Sequence, residues 1–169
     1  TYVFRYSWGA EGYQFEQPTG IAVTPDKTLV VASRGLNRIT RVTALGYEFN
    51  VWGGVGQTGL LDRPEGVAVD SAGNVYVVDH ANRVLKYNAQ GAYLTSWGSA
   101  GSGDGQFACA DWPCAIAVGT TGPVDYVYVL DAGNARIQRF STAGVYLNQW
   151  GAIGDGVVNC MVANARCDL

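Results

Sequence analysis

Residues 64–98 read PEGVAVDSAGNVYVVDHANRVLKYNAQGAYLTSWG, and this stretch decides the fold. It contains four short runs rich in apolar residues, at 66–69, 75–78, 83–87 and 92–97. Turn-forming residues separate the runs, and the second run is β-branched and aromatic, a composition that favours strands. No window has the 3.6-residue apolar period of a good helix. The stretch therefore predicts four short strands joined by hairpins.

The same pattern occurs almost three times along the chain. A Pro-x-Gly/Ala-Ile/Val-Ala-Val motif begins at Pro18, Pro64 and Pro113. Trp-Gly pairs recur with steps of 44, 45 and 53 residues. A period near 45 with four strands per repeat is the signature of propeller blades. The chain is therefore predicted to be an all-β protein of the β-propeller class.

The turn between the second and third strands resembles a known family. Residues 131–140 read DAGNARIQRF, and residues 73–79 read GNVYVVD. Both segments resemble the NHL repeat, and the likeness recurs in register over nearly the whole chain. It implies a six-bladed β-propeller, a fold that commonly serves as a binding platform and occasionally as an enzyme. The first repeat departs from the pattern, because Ser33 stands where the other two carry an aspartate.

We expect a single propeller region over 1–169, in which residues 12–53, 59–98 and 103–151 are full four-stranded blades. Residues 1–9 match only the last strand of a preceding blade, and residues 154–169 match the start of a further one. Such an arc does not close a ring of six. The rest can come from a longer chain or from a second copy, or copies can join end to end as a filament through exposed strand edges.

Residues that recur once in every repeat are expected to hold the blades together. The tryptophans are predicted to pack between neighbouring blades, where each can bury roughly 150–250 Å². The aspartates are predicted to accept hydrogen bonds from backbone N–H groups of their own turns, and the arginines to pair with carboxylates or aromatic rings. An alanine in each first strand suits crowding around a central channel. These residues are Trp8, Trp52, Trp97, Trp150, Asp79, Asp131, Arg38, Arg83, Arg136, Ala22, Ala68 and Ala117.

All four cysteines fall in the equivalent segment of two successive repeats. Cys109 and Cys114 are spaced C-x4-C, and Cys160 and Cys167 are spaced C-x6-C. Two local disulfides, 109–114 and 160–167, are the simplest of the three pairings that four cysteines allow. Disulfides indicate an oxidising, extracellular setting. The alternative is a zinc ion held by all four thiolates, although the two pairs fall on adjacent blades.

The sequence offers no recognisable catalytic constellation. His80 is the single histidine, whereas the zinc-dependent lyases among relatives of this fold need several histidine ligands. There is no Gly-x-Ser-x-Gly elbow, and the glycine-rich stretch 98–105 is interpreted as a flexible connection between blades. Asp104 with Asp111, or Asp155 with Asp168, is the alternative of a calcium site. We therefore predict no catalytic residue, no bound metal and no cofactor.

Composition narrows the partners. The chain has 11 basic and 14 acidic residues, a formal net charge of −3 and a pI of about 5.0. The basic residues are scattered, which argues against nucleic acid as a partner. No apolar run approaches the ~20 residues of a membrane span. The remaining candidates are protein or carbohydrate partners and self-association through strand edges.

A binding surface is predicted on one face of the propeller. The connections between blades and the turns between second and third strands emerge there, with Tyr13, Arg34, His80, Asp111 and Trp112. Trp112 lies outside the repeated Trp-Gly positions, so it either anchors a partner or packs under its own loop. The sequence thus predicts a non-catalytic extracellular scaffold that binds protein or glycan. The alternatives are a piece of a metal-dependent lyase or hydrolase and, less favoured, an RNA-binding NHL domain.

Overall fold

The computed structural model describes residues 15–54, 59–110 and 114–151. Within these ranges the chain forms twelve β-strands and one short 3-10 turn, Ala132–Asn134. The strands are β1 Pro18–Val23, β2 Leu29–Ser33, β3 Arg38–Val42, β4 Glu48–Trp52, β5 Pro64–Val69, β6 Val75–Asp79, β7 Arg83–Tyr87, β8 Tyr93–Trp97, β9 Ala115–Thr121, β10 Val124–Asp131, β11 Arg136–Ser141 and β12 Tyr146–Trp150. No helix in the described ranges is long and apolar enough to cross a membrane.

The strands form three four-stranded antiparallel sheets, each built from four consecutive strands. The first sheet is β1–β4, the second β5–β8 and the third β9–β12. The four strands expected in residues 64–98 are all present, as β5 to β8. The predicted all-β class and the four-stranded repeat are therefore confirmed. The partial repeats expected at 1–9 and 154–169 lie outside the described residues.

A glycine closes the last hairpin of every sheet. Gly46, Gly91 and Gly144 have φ values of +85°, +83° and +85°. Each N–H donates to the carbonyl oxygen three residues earlier, at 2.9, 2.9 and 3.0 Å respectively. A residue with a Cβ is strained at such a positive φ, whereas glycine is not. This local requirement explains why the glycine recurs with the repeat.

The sheets pack side by side through their first strands, β1, β5 and β9. A Cβ added to Gly20 would lie 3.0 Å from the backbone nitrogen of Val67, and one added to Gly66 would lie 3.1 Å from that of Ile116. The backbones of neighbouring first strands therefore approach closely at these glycines. Of the alanines expected to suit a crowded channel, Ala68 is buried and Ala117 is exposed. Only a residue without a side chain lets two backbones approach this closely.

The hydrophobic core lies between the sheets and forms two clusters. Val30 and Ile39 of the first sheet pack with Val77 of the second. On the other side of the second sheet, Val78 packs with Val127 of the third. Successive side chains of a strand point to opposite faces, so the second sheet supplies alternate residues to both clusters. It is consequently covered on both faces.

Candidate binding face

The predicted binding face is formed where the turns between second and third strands meet the connections between sheets. Arg34 and His80 occupy the same position in successive sheets, and both are half-buried. The backbone N–H of Arg34 donates to the Gln17 carbonyl at 3.1 Å, and that of His80 donates to the Asp62 carbonyl at 2.9 Å. Backbone bonds thus fasten each turn to the connection that precedes its own sheet. Tyr13, Asp111 and Trp112 lie outside the described residues.

His80 has no ligand set around it in the described part of the chain. Its Nδ1 is buried without a hydrogen-bond partner there. Within the same residues, no group of three or more His, Cys, Asp or Glu side chains could hold a metal ion. Asp104 is described, but the partners named for the calcium alternative, Asp111, Asp155 and Asp168, are not.

Asp79 of the second sheet is fully buried and is hydrogen-bonded on several sides. It accepts from the backbone N–H of Ala81 in its own turn at 3.2 Å, as expected. It also accepts from the N–H of Asp62 at 3.1 Å and from Nε of Arg83 at 3.1 Å. Burial raises the pKa of this carboxyl, and the N–H donors and Arg83 oppose that rise. Asp79 therefore ties its turn to the connection ahead of β5.

Asp131 occupies the same position in the third sheet but has different partners. It accepts from the backbone N–H of Ala108 at 2.8 Å and from Nε of Arg136 at 2.8 Å. The amides of Asn134 and Gln138 donate to it at 2.9 and 3.1 Å. The donor from its own turn is a side chain, so the expectation of a backbone N–H from that turn was wrong here. The turn from Asp131 to Arg136 is one residue longer than that from Asp79 to Arg83 and forms a 3-10 turn, which accounts for the difference.

Arg136 holds the glycine-rich connection between the second and third sheets. Its guanidinium donates to the carbonyl oxygens of Ser102, Gly103 and Gln106 at 2.7, 2.8 and 2.8 Å, and to Oε1 of Gln149 at 2.8 Å. With the bond to Asp131, all five guanidinium donors are used. The connection is therefore tied down, contrary to the flexibility that its glycines suggested.

The first sheet lacks the aspartate, and its arginine pairs elsewhere. Ser33 is buried at the aspartate position. Arg38 lies 3.5 Å from a carboxylate oxygen of Glu48 on β4, with both side chains partly exposed. The repeated arginine is thus next to a carboxylate in every sheet, but the carboxylate comes from a different strand in the first.

Two of the repeated tryptophans pack across sheets, as expected. A Cβ added to Gly91 would lie 2.7 Å from the ring of Trp52, and one added to Gly144 would lie 2.6 Å from the ring of Trp97. Each ring therefore covers the glycine turn of the following sheet. Trp150 stacks on Tyr128 of its own sheet, with ring centroids 6.2 Å apart. Trp8 lies outside the described residues.

Cys109 and Cys114 form the predicted local disulfide, with an S–S distance of 2.07 Å. Both residues are buried. The N–H of Cys109 donates to Oδ1 of Asn82 at 2.7 Å, and that of Cys114 donates to Oε2 of Glu65 at 2.6 Å. These bonds anchor the base of the insertion to the second sheet. The disulfide removes two of the thiolates needed for a four-cysteine zinc site, and the 160–167 pair lies outside the described residues.

Sequence reasoning missed the asparagine that joins successive sheets on this face. Asn37 and Asn82 end their turns in the left-handed region, with φ of +49° and +61°. Oδ1 of Asn37 accepts the N–H of Arg63 at 2.6 Å, as Oδ1 of Asn82 accepts that of Cys109. The asparagines were visible as part of a repeated motif. Their partners, about 26 residues away, were not.

Asp125 makes a further link between sheets at the opposite end. The backbone N–H and the hydroxyl of Ser71 donate to its carboxylate at 2.8 and 2.6 Å. The hydroxyl of Thr120 donates to its other oxygen at 2.6 Å. The bonds from Ser71, followed by that from Thr120, hold the pKa of Asp125 below its usual range.

Comparison with known proteins agrees with the fold. The sequence profile of the NHL repeat matches residues 61–84. A streptogramin B lyase structure superposes with a TM-score of 0.61 at 16% identity, covering 86% of this chain and 44% of that one. The WD40 repeats of RRP9 superpose with a TM-score of 0.61 at 16% identity, covering 82% and 39%. Virginiamycin B lyase from Staphylococcus aureus gives 0.56 at 17% identity, covering 82% and 42%.

These identities show the fold alone, and the fold is that of the β-propeller proteins. The match of the NHL repeat to residues 61–84 confirms the resemblance inferred from the sequence. The chain spans less than half the length of the solved structures it matches. No curated protein matches its sequence.

Proposed function

We propose that this chain is a non-catalytic extracellular scaffold of the propeller class, which binds a protein or a glycan through the face described above. The observation that carries the proposal is the insertion bounded by Cys109 and Cys114. It departs from the chain's own repeat, and its two ends are held by hydrogen bonds. The backbone N–H groups of Cys109 and Cys114 donate to Asn82 and Glu65 of the neighbouring sheet, which fixes both ends of the insertion.

The repeated charged residues support a structural frame rather than chemistry. Asp79 and Asp131 are fully buried and paired with arginines. A disulfide at the base of a loop restricts the conformations of the free loop. Less conformational entropy is then lost when a partner binds, which favours binding. A buried disulfide also supports an extracellular location. As a second interaction of the same scaffold, we propose that copies of the chain associate to complete a ring of six blades.

The test is a screen of the purified chain against a glycan array and a panel of extracellular protein domains. Trp112→Ala in the insertion is expected to weaken binding of any ligand found by roughly tenfold or more, as loss of an aromatic anchor does. Tyr47→Ala is the matched control, because Tyr47 is an aromatic residue that is 70% exposed and lies directly before β4, away from the insertion in the sequence. Equal affinity of both variants would remove the insertion from the binding site.

The second candidate is a piece of a propeller enzyme, a metal-dependent lyase or hydrolase. The observation in its favour is the fold that the chain shares with two lyase structures. Metal analysis of the purified protein separates the two functions. Stoichiometric zinc or another divalent metal, together with turnover, would support the enzyme and contradict the scaffold.

A further inference from the structure

The connection between the second and third sheets contains an aspartate followed directly by a glycine, Asp104–Gly105. Asp104 is exposed and Gly105 is half-buried. Glycine is required at this position, because Gly105 has a φ of +73°, at which a side chain would be strained. The same lack of a side chain makes the step chemically labile, since nothing on the glycine shields the aspartate carboxyl group from the next backbone nitrogen. The fold thus keeps a reactive step at an exposed position.

An Asp-Gly step can rearrange to isoaspartate without an enzyme. The backbone nitrogen of the glycine attacks Cγ of the protonated aspartate, an N–C bond forms, and the carboxyl OH leaves with the amide proton as water. Water then adds to the resulting five-membered succinimide. Breaking the bond from nitrogen to the backbone carbonyl carbon leaves the chain running through Cγ, as isoaspartate, with no net change in mass. The rearrangement therefore needs a free amide nitrogen and a free carboxyl group.

In this structure the nitrogen of Gly105 is already engaged. Its N–H donates to Oε1 of Gln138 at 2.9 Å. Gln138 is 0% exposed, and its Nε2 donates to the Gln106 carbonyl at 2.7 Å and to Asp131 at 3.1 Å. Both ends of the amide are thus fixed, so the oxygen stays on Gly105. Attack on Cγ requires this bond to break, because the nitrogen must lose its proton and the peptide plane must rotate.

The carboxyl group of Asp104 is engaged as well. It lies at the phenol of Tyr146, the first residue of β12, and this contact, after burial, raises the pKa of the phenol. The turn around the step is closed by the N–H of Gln106, which donates to the Gly103 carbonyl at 3.0 Å. Arg136 binds the carbonyl oxygens of the same two residues at 2.8 Å each. The two reacting groups are therefore released only when the connection detaches from the third sheet.

We propose that Asp104–Gly105 is a site of isoaspartate formation that the third sheet keeps closed, with Gln138 as the residue that holds the reacting nitrogen. The site reacts when the connection opens locally, a motion that needs less free energy than unfolding of the whole chain. Isoaspartate adds an atom to the backbone, so the N–H of Gly105 no longer meets Gln138 in the same place. The modification thus leaves the connection loosened beside the candidate binding face.

The first experiment compares the rate of isoaspartate formation in the folded chain with that in the chain unfolded in guanidinium chloride, at the same pH and temperature. Peptide mapping by mass spectrometry follows the reaction, because an endoproteinase that cuts before aspartate does not cut before isoaspartate. The map also separates this step from Asp155–Gly156, the other Asp-Gly pair of the sequence. The folded chain is expected to react at least roughly tenfold more slowly. Equal rates would overturn the gate, and no reaction in the unfolded chain would overturn the site.

Gln138→Leu tests the residue that holds the nitrogen. It removes the acceptor of the Gly105 N–H, so the rate in the folded chain should rise at least roughly fivefold. Arg83→Met is the matched control, because Arg83 lies in the second sheet and binds a different connection, at the Leu60 carbonyl. Its rate should equal that of the wild type. Asp104→Glu cannot form the five-membered ring and should abolish the signal.

Two results would overturn the role of Gln138. One is a rate in the folded chain that Gln138→Leu leaves unchanged. The other is a rate that Arg83→Met raises by the same factor, since a general loss of stability would then explain both. Isoaspartate that persists at the same position in Asp104→Glu would show that the signal comes from another step.

Amide hydrogen exchange covers the case in which Gln138→Leu fails to fold. In the folded wild-type chain, the N–H of Gly105 is expected to exchange at least roughly tenfold more slowly than in the unfolded chain. Low concentrations of guanidinium chloride should speed exchange and isoaspartate formation by the same factor, because both pass through the open connection. An unprotected Gly105 N–H would contradict the gate, as would isoaspartate formation that stays constant while exchange accelerates.

Discussion

The second and third sheets have the same residue types in the same register, but their surroundings differ. The second sheet is covered on both faces, whereas the third exposes Leu130 and Ile137 on one of them. Their aspartate–arginine pairs show the reverse order, because the arginine of the second sheet is the more exposed of the two. Arg83 is 34% exposed, while Arg136 is 5% exposed and enclosed by a connection. The strand pattern therefore specifies which side chains meet a neighbour, and the neighbour decides how much each contributes.

The largest difference is expected between Arg136→Met and Arg83→Met. Loss of Arg136 leaves the Asp131 carboxylate buried without its cation and frees the carbonyl oxygens of the connection. The free energy of unfolding should fall by about 3–5 kcal/mol, as for other broken buried pairs. Arg83→Met should cost less, about 2 kcal/mol, because it also leaves the buried Asp79 carboxylate without its cation but solvent already reaches a third of the Arg83 side chain. Urea unfolding of both variants checks this, and equal losses would show that the enclosing connection adds nothing.

Trp97 of the second sheet and Trp150 of the third sheet test the difference between a covered and an exposed sheet face. Trp97→Ala removes a ring that packs on Gly144 and lies 5.9 Å from the ring of Phe140, so a loss of about 3 kcal/mol is expected. Trp150→Ala should cost less, about 1 kcal/mol, because no turn lies over the ring in the described residues. Denaturant unfolding of both single variants measures the two losses. A Trp150 effect as large as that of Trp97 would mean that the third sheet is already covered.

The disulfide belongs to the third sheet alone among the described residues. Cys109→Ser with Cys114→Ser opens a loop of six residues, for which chain entropy gives about 2 kcal/mol. The midpoint of thermal unfolding should therefore drop, while reductant lowers the wild-type midpoint by a similar amount. An unchanged midpoint in both experiments would show that the bonds to Asn82 and Glu65 suffice to hold the insertion.

The last effect expected is absent at neutral pH and is an alkaline loss of stability that originates in the second sheet. Burial, followed by the hydrogen bond to Asp70, raises the pKa of the Tyr76 phenol above its ordinary 10.0, and burial likewise raises that of Tyr87. The unfolded chain releases these protons above pH 10 and the folded chain retains them. Stability is thus complete below pH 10 and falls above it by about 1.4 kcal/mol per pH unit for each tyrosine.

Tyr76→Phe is the variant that tests this pH dependence. It should reduce the slope of stability against pH above pH 10, although it also loses the bond to Asp70 and is less stable at neutral pH. Chemical unfolding at several pH values separates the two effects. A slope equal to that of the wild type would place the alkaline transition elsewhere in the chain.

Much of the fold could be predicted because its signals are local. Gly91 and Asn82 supply the positive φ that their own turns require, and the β-branched and aromatic composition of β6 favours a strand. The disulfide was predictable from a spacing of five residues. Apart from the Asp131 turn, the features that sequence reasoning missed involve distant partners. The sequence around Arg136 does not predict that its guanidinium binds carbonyl groups more than 30 residues earlier.

The candidate face was only partly predictable for the same reason. The sequence located Arg34 and His80 on equivalent turns, and the structure places them there. The bonds that make the face rigid, such as that from Cys114 to Glu65, join residues 49 positions apart. Their existence depends on how two sheets are oriented, which no local pattern encodes.

The sequence by itself determined the strands, the turns and the repeat, because hydrogen-bonding geometry and side-chain alternation act over a few residues. Only the tertiary structure decided which of several equivalent side chains are buried. Val78 and Leu130 are interchangeable in the pattern, yet one is fully buried and the other is 45% exposed. Burial is a property of the surface opposite a residue, and that surface comes from another sheet.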